Sequence, residues 1–295
     1  MSVATPVASG PSAPTPAAMP RRTPGIGERF ASSLVGAATV VAVLFLGIPI
    51  VALIARAIFG GALEAAVSPR IVDALVLSLV TSGVSLMLAF TFGTPLALAL
   101  ALARRSFRGR VLVETLVDLP IVLPPAVAGL ALLLVFGRRG LLGAPLETLG
   151  IANPFTTVAV ILAQTFVSAP FHIRAARAGF AGVDHEVDDA ARVDCAGEWS
   201  VFRHVTVPLA GGALTAGLVM TWARALGEFG ATIMFAGNVM GRTQTLPLVV
   251  YGEFQGGALD ASIAAAAMLV MVAFGVLAAV RLFHWGRVLD ARGVG

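Results

Sequence analysis

The chain has 295 residues, of which 58% are hydrophobic and only 12% are charged, and its mean hydropathy is +0.92. A soluble domain carries roughly 25% charged residues, so this composition excludes a water-soluble globular protein and indicates a polytopic membrane protein. All 20 basic residues are arginine, which excludes a phosphate-binding loop ending in Gly-Lys-Ser/Thr and any lysine-based catalysis. The single cysteine, Cys195, excludes an internal disulfide and a cysteine-cluster metal site.

Residues 1–28 are rich in Pro, Ala and Ser and contain no apolar run, so we predict a disordered tail there. Six apolar stretches follow, each long enough to cross a bilayer core of ~30 Å as a helix. They predict an all-α integral membrane protein whose transmembrane domain covers residues 29–295. The spans lie at about 34–55, 71–103, 111–136, 154–173, 205–235 and 261–280. Pro120, Pro124 and Pro125 predict a bent third span, because proline removes a backbone donor.

The arginines predict the orientation of the six spans. If both termini are cytoplasmic, fourteen arginines lie in inner segments and five in outer segments. Positive residues concentrate on the cytoplasmic side of membrane proteins, so we predict a multi-pass protein of the cell membrane with both ends inside. The pI near 10.8 reflects arginines at the ends of apolar segments, and we therefore discount a nucleic-acid partner.

The predicted cytoplasmic loop 174–204 is the longest polar stretch between spans. Acidic residues precede Arg192, which matches the dipole of a short helix, and small apolar residues fall at helical spacing. A surface helix lying on the membrane and a docking helix for another protein both explain these features.

The stretch Asp189-Ala190-Ala191, three residues, Cys195, nine residues, Val205-Thr206-Val207-Pro208 resembles the EAA loop of bacterial ABC-importer permeases. Asp189 stands where that family has Glu, and Cys195 where it has Gly. The resemblance implies a type I ABC-importer permease fold with a cytoplasmic coupling helix that docks on a separate ATPase subunit. The coupling residues that it implies are Glu186, Asp189, Ala190, Ala191, Cys195, Gly197 and Pro208.

Residues 119–140 and 223–251 resemble the molybdate permease subunit, with the sulfate permeases as near relatives. This implies a non-enzymatic membrane subunit that imports the molybdate oxyanion, uses no cofactor and leaves ATP hydrolysis to its partner. The implied partners are two ATPase copies, a periplasmic or lipid-anchored substrate-binding protein, a second copy of the chain and the lipid bilayer. A sulfate, thiosulfate or tungstate permease is the alternative, and an ion-coupled secondary carrier is a more distant one.

Arg224 and Glu228 stand four residues apart on the predicted fifth span, and therefore on one helix face. A charge within the membrane must be paired or must face water or protein. Arg224 could attract an oxyanion while Glu228 orients it, or the two could form an ion pair that only stabilises packing. Gly227 and Gly230 could form a dimer seam or pack within one subunit. Thr232 could bond an anion or play a structural role.

An intramembrane enzyme is the remaining alternative. A metalloprotease of this kind would need a His-Glu-x-x-His helix, and a serine protease would need a Gly-x-Ser-x-Gly segment. The sequence contains neither, and its four histidines are scattered, so we expect no catalytic and no metal-binding residues.

Overall fold

The computed structural model describes residues 26–102, 109–148, 154–183 and 197–292, and the regular secondary structure within these ranges is entirely helical. The prediction of an all-α protein is confirmed. In chain order the helices are α1 (Ile26–Phe59), α2 (Ala62–Ala66), α3 (Pro69–Leu102), α4 (Arg110–Val122), α5 (Pro125–Phe136), α6 (Gly143–Thr148), α7 (Thr157–Ala181), α8 (Glu198–Val201), α9 (Val207–Leu226), α10 (Gly230–Phe235), α11 (Leu246–Gln255) and α12 (Leu259–Arg292). A π-helical turn, Phe202–Thr206, joins α8 to α9.

The chain divides into two units, residues 1–51 and residues 52–295. The predicted tail of the first unit lies outside the described residues up to position 25. In the described part of this unit, the large apolar side chains of α1 from Leu34 onward are exposed, among them Phe45 at 76%. Apolar side chains in such numbers are suited to lipid or to another apolar helix and not to water.

Five helical stretches are long and apolar enough to cross a bilayer: Leu34–Phe59, Pro69–Leu102, Thr157–Ala181, Trp199–Leu226 and Leu259–Leu282. Helices α4 and α5 supply a sixth crossing if the bent pair acts as one span. These stretches overlap the six that the apolar pattern of the sequence predicts.

The third predicted span, 111–136, is interrupted and not merely kinked. Helix α4 ends at Val122, α5 starts at Pro125, and the two are bent by 120°. Leu123 and Pro124 both have extended ψ angles, 135° and 133°. Each of them precedes a proline, and a residue before proline is driven out of the helical conformation. Two consecutive prolines therefore stop the helix.

The fifth predicted span, 205–235, is also divided. Helix α9 ends at Leu226, and α10 begins at Gly230. Apolar composition continues across the break, so hydropathy alone did not reveal it. A local contribution comes from Gly227, which follows the last residue of α9, since glycine is less favourable in a helix than alanine by about 1 kcal/mol.

Helix α11 was not among the predicted elements, because ten residues are too few to cross a bilayer. Its first backbone amide, that of Leu246, donates to Ser78 Oγ of α3 over 2.8 Å. An ion pair between Arg70 and Glu253 makes a second connection between the same two helices. Helix α11 is thus fastened to the start of α3.

Both ends of the polar loop predicted at 174–204 are helical in the part of the chain that the structure describes. Helix α7 continues to Ala181, and the next helix that the structure describes, α8, begins at Glu198. Hydropathy marks where apolar surroundings end, whereas a helix continues for as long as its backbone bonds are satisfied. Residues 184–196, which hold most of the predicted coupling helix, lie outside the described residues.

Helices α3, α7 and α9 form the packed centre of the second unit. Glycines allow the three helices to approach closely: a Cβ at Gly93 would lie 2.9 Å from Ile173 Cγ1, and one at Gly217 would lie 2.8 Å from Ala175 Cβ. Small residues at helix contacts are the usual means of close packing in membranes, where the apolar solvent gives little hydrophobic drive for association.

Candidate functional site

An ion pair marks the break between α9 and α10. Arg224 Nη1 lies 2.5 Å from Glu228 Oε2. The two side chains have unequal surroundings, because that of Glu228 is 1% exposed and that of Arg224 is 28% exposed. The prediction that these residues meet four positions apart agrees with the structure, although Glu228 lies beyond the last helical residue.

Glu228 also holds the two sides of the break together. Its Oε1 accepts a hydrogen bond of 2.7 Å from the backbone N–H of Ala231 in α10. The carboxylate therefore uses one oxygen to anchor the start of α10 and the other to bind Arg224. The pair has no net charge, and the guanidinium is its accessible half.

The break between α4 and α5 lies against this one. A Cβ placed at Gly230 would lie 2.7 Å from Pro125 Cβ and 3.1 Å from the backbone nitrogen of Ala126. One placed at Gly129 would lie 2.6 Å from the carbonyl oxygen of Ala231. The two interruptions therefore touch backbone to backbone, and we call residues 123–126 and 226–230 the paired helix breaks.

Part of the paired helix breaks is accessible. Pro124, Pro125, Ala126 and Gly227 are exposed, and Arg224 lies beside them with an intermediate exposure. Interrupted helices within a membrane expose backbone groups that continuous helices would hide, and such backbone is tolerated where it lines a cavity or is buried in protein.

Of the remaining predicted pathway residues, Gly230 and Thr232 pack within the subunit, whereas Gly227 does not. Gly230 packs against Pro125 of the same chain, so a contact within one subunit is enough to explain why a glycine stands there. Thr232 is fully buried, and its hydroxyl has no hydrogen-bond partner among the residues that the structure describes. Gly227 is exposed, and a Cβ there would meet only Ala223 O at 3.5 Å.

Of the predicted coupling residues, Gly197 and Pro208 are described, whereas Glu186, Asp189, Ala190, Ala191 and Cys195 fall outside the described residues. The Gly197 carbonyl accepts backbone bonds from Ser200 and Val201, so it starts α8. Pro208 lies in the first turn of α9 and is exposed. Pro208 has no backbone N–H and therefore cannot donate a hydrogen bond to the carbonyl four residues earlier. The wider π-helical turn, Phe202–Thr206, lies directly before the helix that contains Pro208.

The base of this loop is closed by aromatic side chains. Phe180 near the end of α7 lies 6.3 Å from Phe202, and Trp199 lies 5.5 Å from Phe202, between ring centroids. The chain thus leaves the helical bundle and re-enters it at one place. Sequence reasoning missed this contact, whose only signal was an aromatic residue on each side of the polar stretch.

Ion pairs connect α4 to the same end of α7. Glu114 Oε1 lies 2.9 Å from Arg177 and 2.7 Å from Arg110, and Asp118 lies 3.5 Å from Arg174. Sequence analysis did not single out these acidic residues, although two carboxylates one helical turn apart in an apolar stretch signal a need for basic partners.

The known proteins that this chain is similar to are transport proteins. The family model described as "binding-protein-dependent transport system inner membrane component" matches residues 93–292. The molybdenum transport system permease protein ModB of Mycobacterium tuberculosis is 41% identical over 235 residues, which are 78% of this chain and 86% of that protein. The chloroplastic sulfate permease 2 of Chlamydomonas reinhardtii is 38% identical over 73% of this chain and 58% of its own length.

A solved structure has the same fold. It is a crystal structure of a bacterial ABC transporter involved in the import of the acidic polysaccharide alginate, with a TM-score of 0.69. It is 21% identical and covers 89% of this chain and 96% of its own, so it supports the ABC-importer permease fold alone. Taken with the family match, these similarities make the chain a multi-span transport component and not an enzyme: it belongs to the family of inner-membrane components of binding-protein-dependent transport systems.

Proposed function

We propose that this chain is the membrane subunit through which an ABC importer moves molybdate into the cytoplasm. The observation that carries the proposal is the 41% identity to a molybdenum transport permease over 86% of that protein's length. Importing a dianion against an inside-negative potential of ~100 mV costs about 2 × 2.3 kcal/mol before any concentration gradient. The chain has no lysine for a nucleotide-binding loop, so the energy would come from a separate ATPase subunit.

Two copies of the ATPase subunit would dock on the importer through the cytoplasmic segment 183–199. The residues of this chain in contact with the ATPase would be Glu186, Asp189, Ala190, Ala191, Cys195 and Gly197. Pro208 would fix the start of the next helix. The closed base formed by Phe180, Trp199 and Phe202 supports this assignment, because a force on a loop is transmitted to its helices only when its ends are held. Both termini would be cytoplasmic, as the arginine distribution predicts. A periplasmic or lipid-anchored binding protein would deliver the anion to the other side.

The paired helix breaks would line the translocation pathway, with two copies of the chain facing one another. Arg224 supplies positive charge at their accessible face, and Gly227 leaves that face open for close approach of the second copy. Glu228, Gly230 and Thr232 lie behind this face and would hold it in shape. An anion moving past Arg224 would meet a guanidinium already oriented by Glu228.

Sulfate is the second candidate substrate, because a sulfate permease is 38% identical over 215 residues. Molybdate, tungstate and sulfate are all tetrahedral dianions, so a pathway lined by one arginine would pass any of them. We expect the external binding protein to select among them.

Uptake by cells that lack this chain tests the proposal. We expect uptake of radiolabelled molybdate at low concentration to fall to background and uptake of sulfate to be unchanged, with the unaltered chain restoring the loss. Loss of sulfate uptake with normal molybdate uptake would replace molybdate by the second candidate. Normal uptake of both would reject the proposed function.

A further inference from the structure

Three polar side chains form a row along α7 inside the subunit. Gln164, Ser168 and His172 follow one another at intervals of four residues, and none of them has any exposed surface. Residues four apart on a helix lie on one face, so the row turns toward a single side. Hydrogen bonds to Ser85 and Thr94 of α3 and to Thr221 of α9 show that this side is the junction of the three central helices.

The amide of Gln164 is incompletely bonded. Ser85 Oγ lies 3.1 Å from the carbonyl oxygen of Ile161 and 3.3 Å from the amide of Gln164. A hydroxyl has one proton, and the carbonyl can only accept it. Whichever way the amide is turned, therefore, at most one of its two polar atoms is bonded to Ser85, and the other has no partner among the described residues.

Ser168 and His172 each leave a polar atom in the same condition. Thr221 Oγ1 donates to the backbone carbonyl of Ser168 over 3.2 Å, but the Ser168 hydroxyl itself has no partner in the described part of the chain. His172 Nε2 is bonded to Thr94 Oγ1 over 2.8 Å, whereas Nδ1 is unpartnered among the same residues. Pro170, which lies between them, lacks the backbone N–H that would bond the Phe166 carbonyl.

A buried polar group without a partner costs about 1–3 kcal/mol, and three in one row are rare in native proteins. The bonding partners given above are neutral hydroxyls, carbonyls and an amide, so the row offers no counter-charge for a metal ion or an anion. What fits is a small neutral molecule that both donates and accepts hydrogen bonds. We propose that this row binds internal water, which joins Gln164, Ser168 and His172 along the junction of α3, α7 and α9.

The spacing of the row suits one water between each neighbouring pair. The Cβ atoms of residues one helical turn apart are separated by ~5–6 Å, a distance that two hydrogen bonds of ~2.8 Å can span. Each water would then contact two row members and could reach a third group on α3 or α9, within the two to four partners that buried waters have. A Cβ at Gly217 would lie 3.3 Å from His172 Nδ1, so a side chain at this position would crowd the nitrogen.

The sign of a stability change tests this inference in the purified full-length chain assembled with its transport partners. If the row is hydrated, Ser168→Ala removes a partner from a bonded water and lowers Tm by about 2–4 °C. If the row is dry, the same change removes an unsatisfied hydroxyl, and Tm rises or stays the same. Either of these last results would overturn the inference.

The matched control is Ser82→Ala. Ser82 is equally buried on α3, but its hydroxyl donates to Leu79 O within its own helix. We expect a smaller loss of Tm in this variant, and an equal loss would contradict the inference. A density map of the unsubstituted complex at about 2 Å resolution gives a second test that needs no variant: a peak within about 3.2 Å of Ser168 Oγ is expected, and an empty junction would overturn the proposal.

Discussion

Glu228 and Arg224 have opposite charges and different tasks. The carboxylate is buried and has a partner on each oxygen, whereas the guanidinium is about one quarter exposed. A variant that lacks only Arg224 leaves a buried carboxylate without its counter-charge, which typically costs about 3–5 kcal/mol. Such a variant would lose stability whatever its role in transport, so a single substitution that removes the positive charge at this position is uninformative.

The double variant Arg224→Gln with Glu228→Gln separates the two roles. It removes both charges together, and the amide oxygen introduced by Glu228→Gln still accepts from the backbone N–H of Ala231. We expect this variant to assemble at the wild-type level and to transport molybdate at least about tenfold more slowly, a change of about 1.4 kcal/mol in the barrier, because the pathway has lost its positive charge. Assembly is checked by co-purification and transport by initial uptake rate.

Wild-type transport by the double variant would mean that the pair only stabilises packing. The variant Arg224→Lys with Glu228 intact is the control for charge without the planar guanidinium. We expect it to retain more transport than the double variant. The sequence predicted that these two residues meet but could not predict which of them is accessible, because that depends on where α9 ends.

The helices show which features the apolar pattern predicts and which it does not. Five of the six predicted spans overlap a helical stretch long enough to cross a membrane, and the third overlaps the bent pair α4 and α5. An apolar run of this length has few other structures available to it in a membrane. The ends and interruptions were less well predicted. Pro124 and Pro125 gave a visible signal for the first break, whereas the second depends on Gly227 and on a side-chain bond from Glu228. The buried polar row on α7 was not predicted, because isolated polar residues barely lower the mean hydropathy of an apolar span.

Contact between the paired helix breaks gives a prediction about packing. In Gly230→Ala the added methyl group would lie 2.7 Å from Pro125 Cβ, closer than two carbons can approach. We expect a loss of stability of about 1–3 kcal/mol, the usual cost of overpacking, measured as thermal unfolding of the purified chain in detergent. Gly212→Ala is the control, because a Cβ there meets nothing within 4 Å. Equal stability of the two variants would mean that α5 and α10 do not touch as described.

The second unit, taken as a whole, combines a closely packed centre with an end that the ATPase is proposed to contact. The junction of α3, α7 and α9 is packed through glycines, and the ion pairs of α4 and the aromatic contacts of Phe180 and Phe202 lie beside the segment assigned to the ATPase. A force applied at that segment would therefore reach α7 and α9 directly. Sequence motifs were enough to predict the family, because they extend over long stretches of the chain. They do not predict the substrate as sharply, because we expect a separate binding protein to select it.

Reconstitution in liposomes tests most directly whether this chain transports only when another subunit supplies the energy. The full-length chain is inserted alone, or together with its ATPase subunit and binding protein, and accumulation of labelled molybdate is followed with and without Mg-ATP. We expect accumulation above the external concentration only when the ATPase subunit and ATP are both present. Accumulation against the gradient by the chain alone would contradict the account.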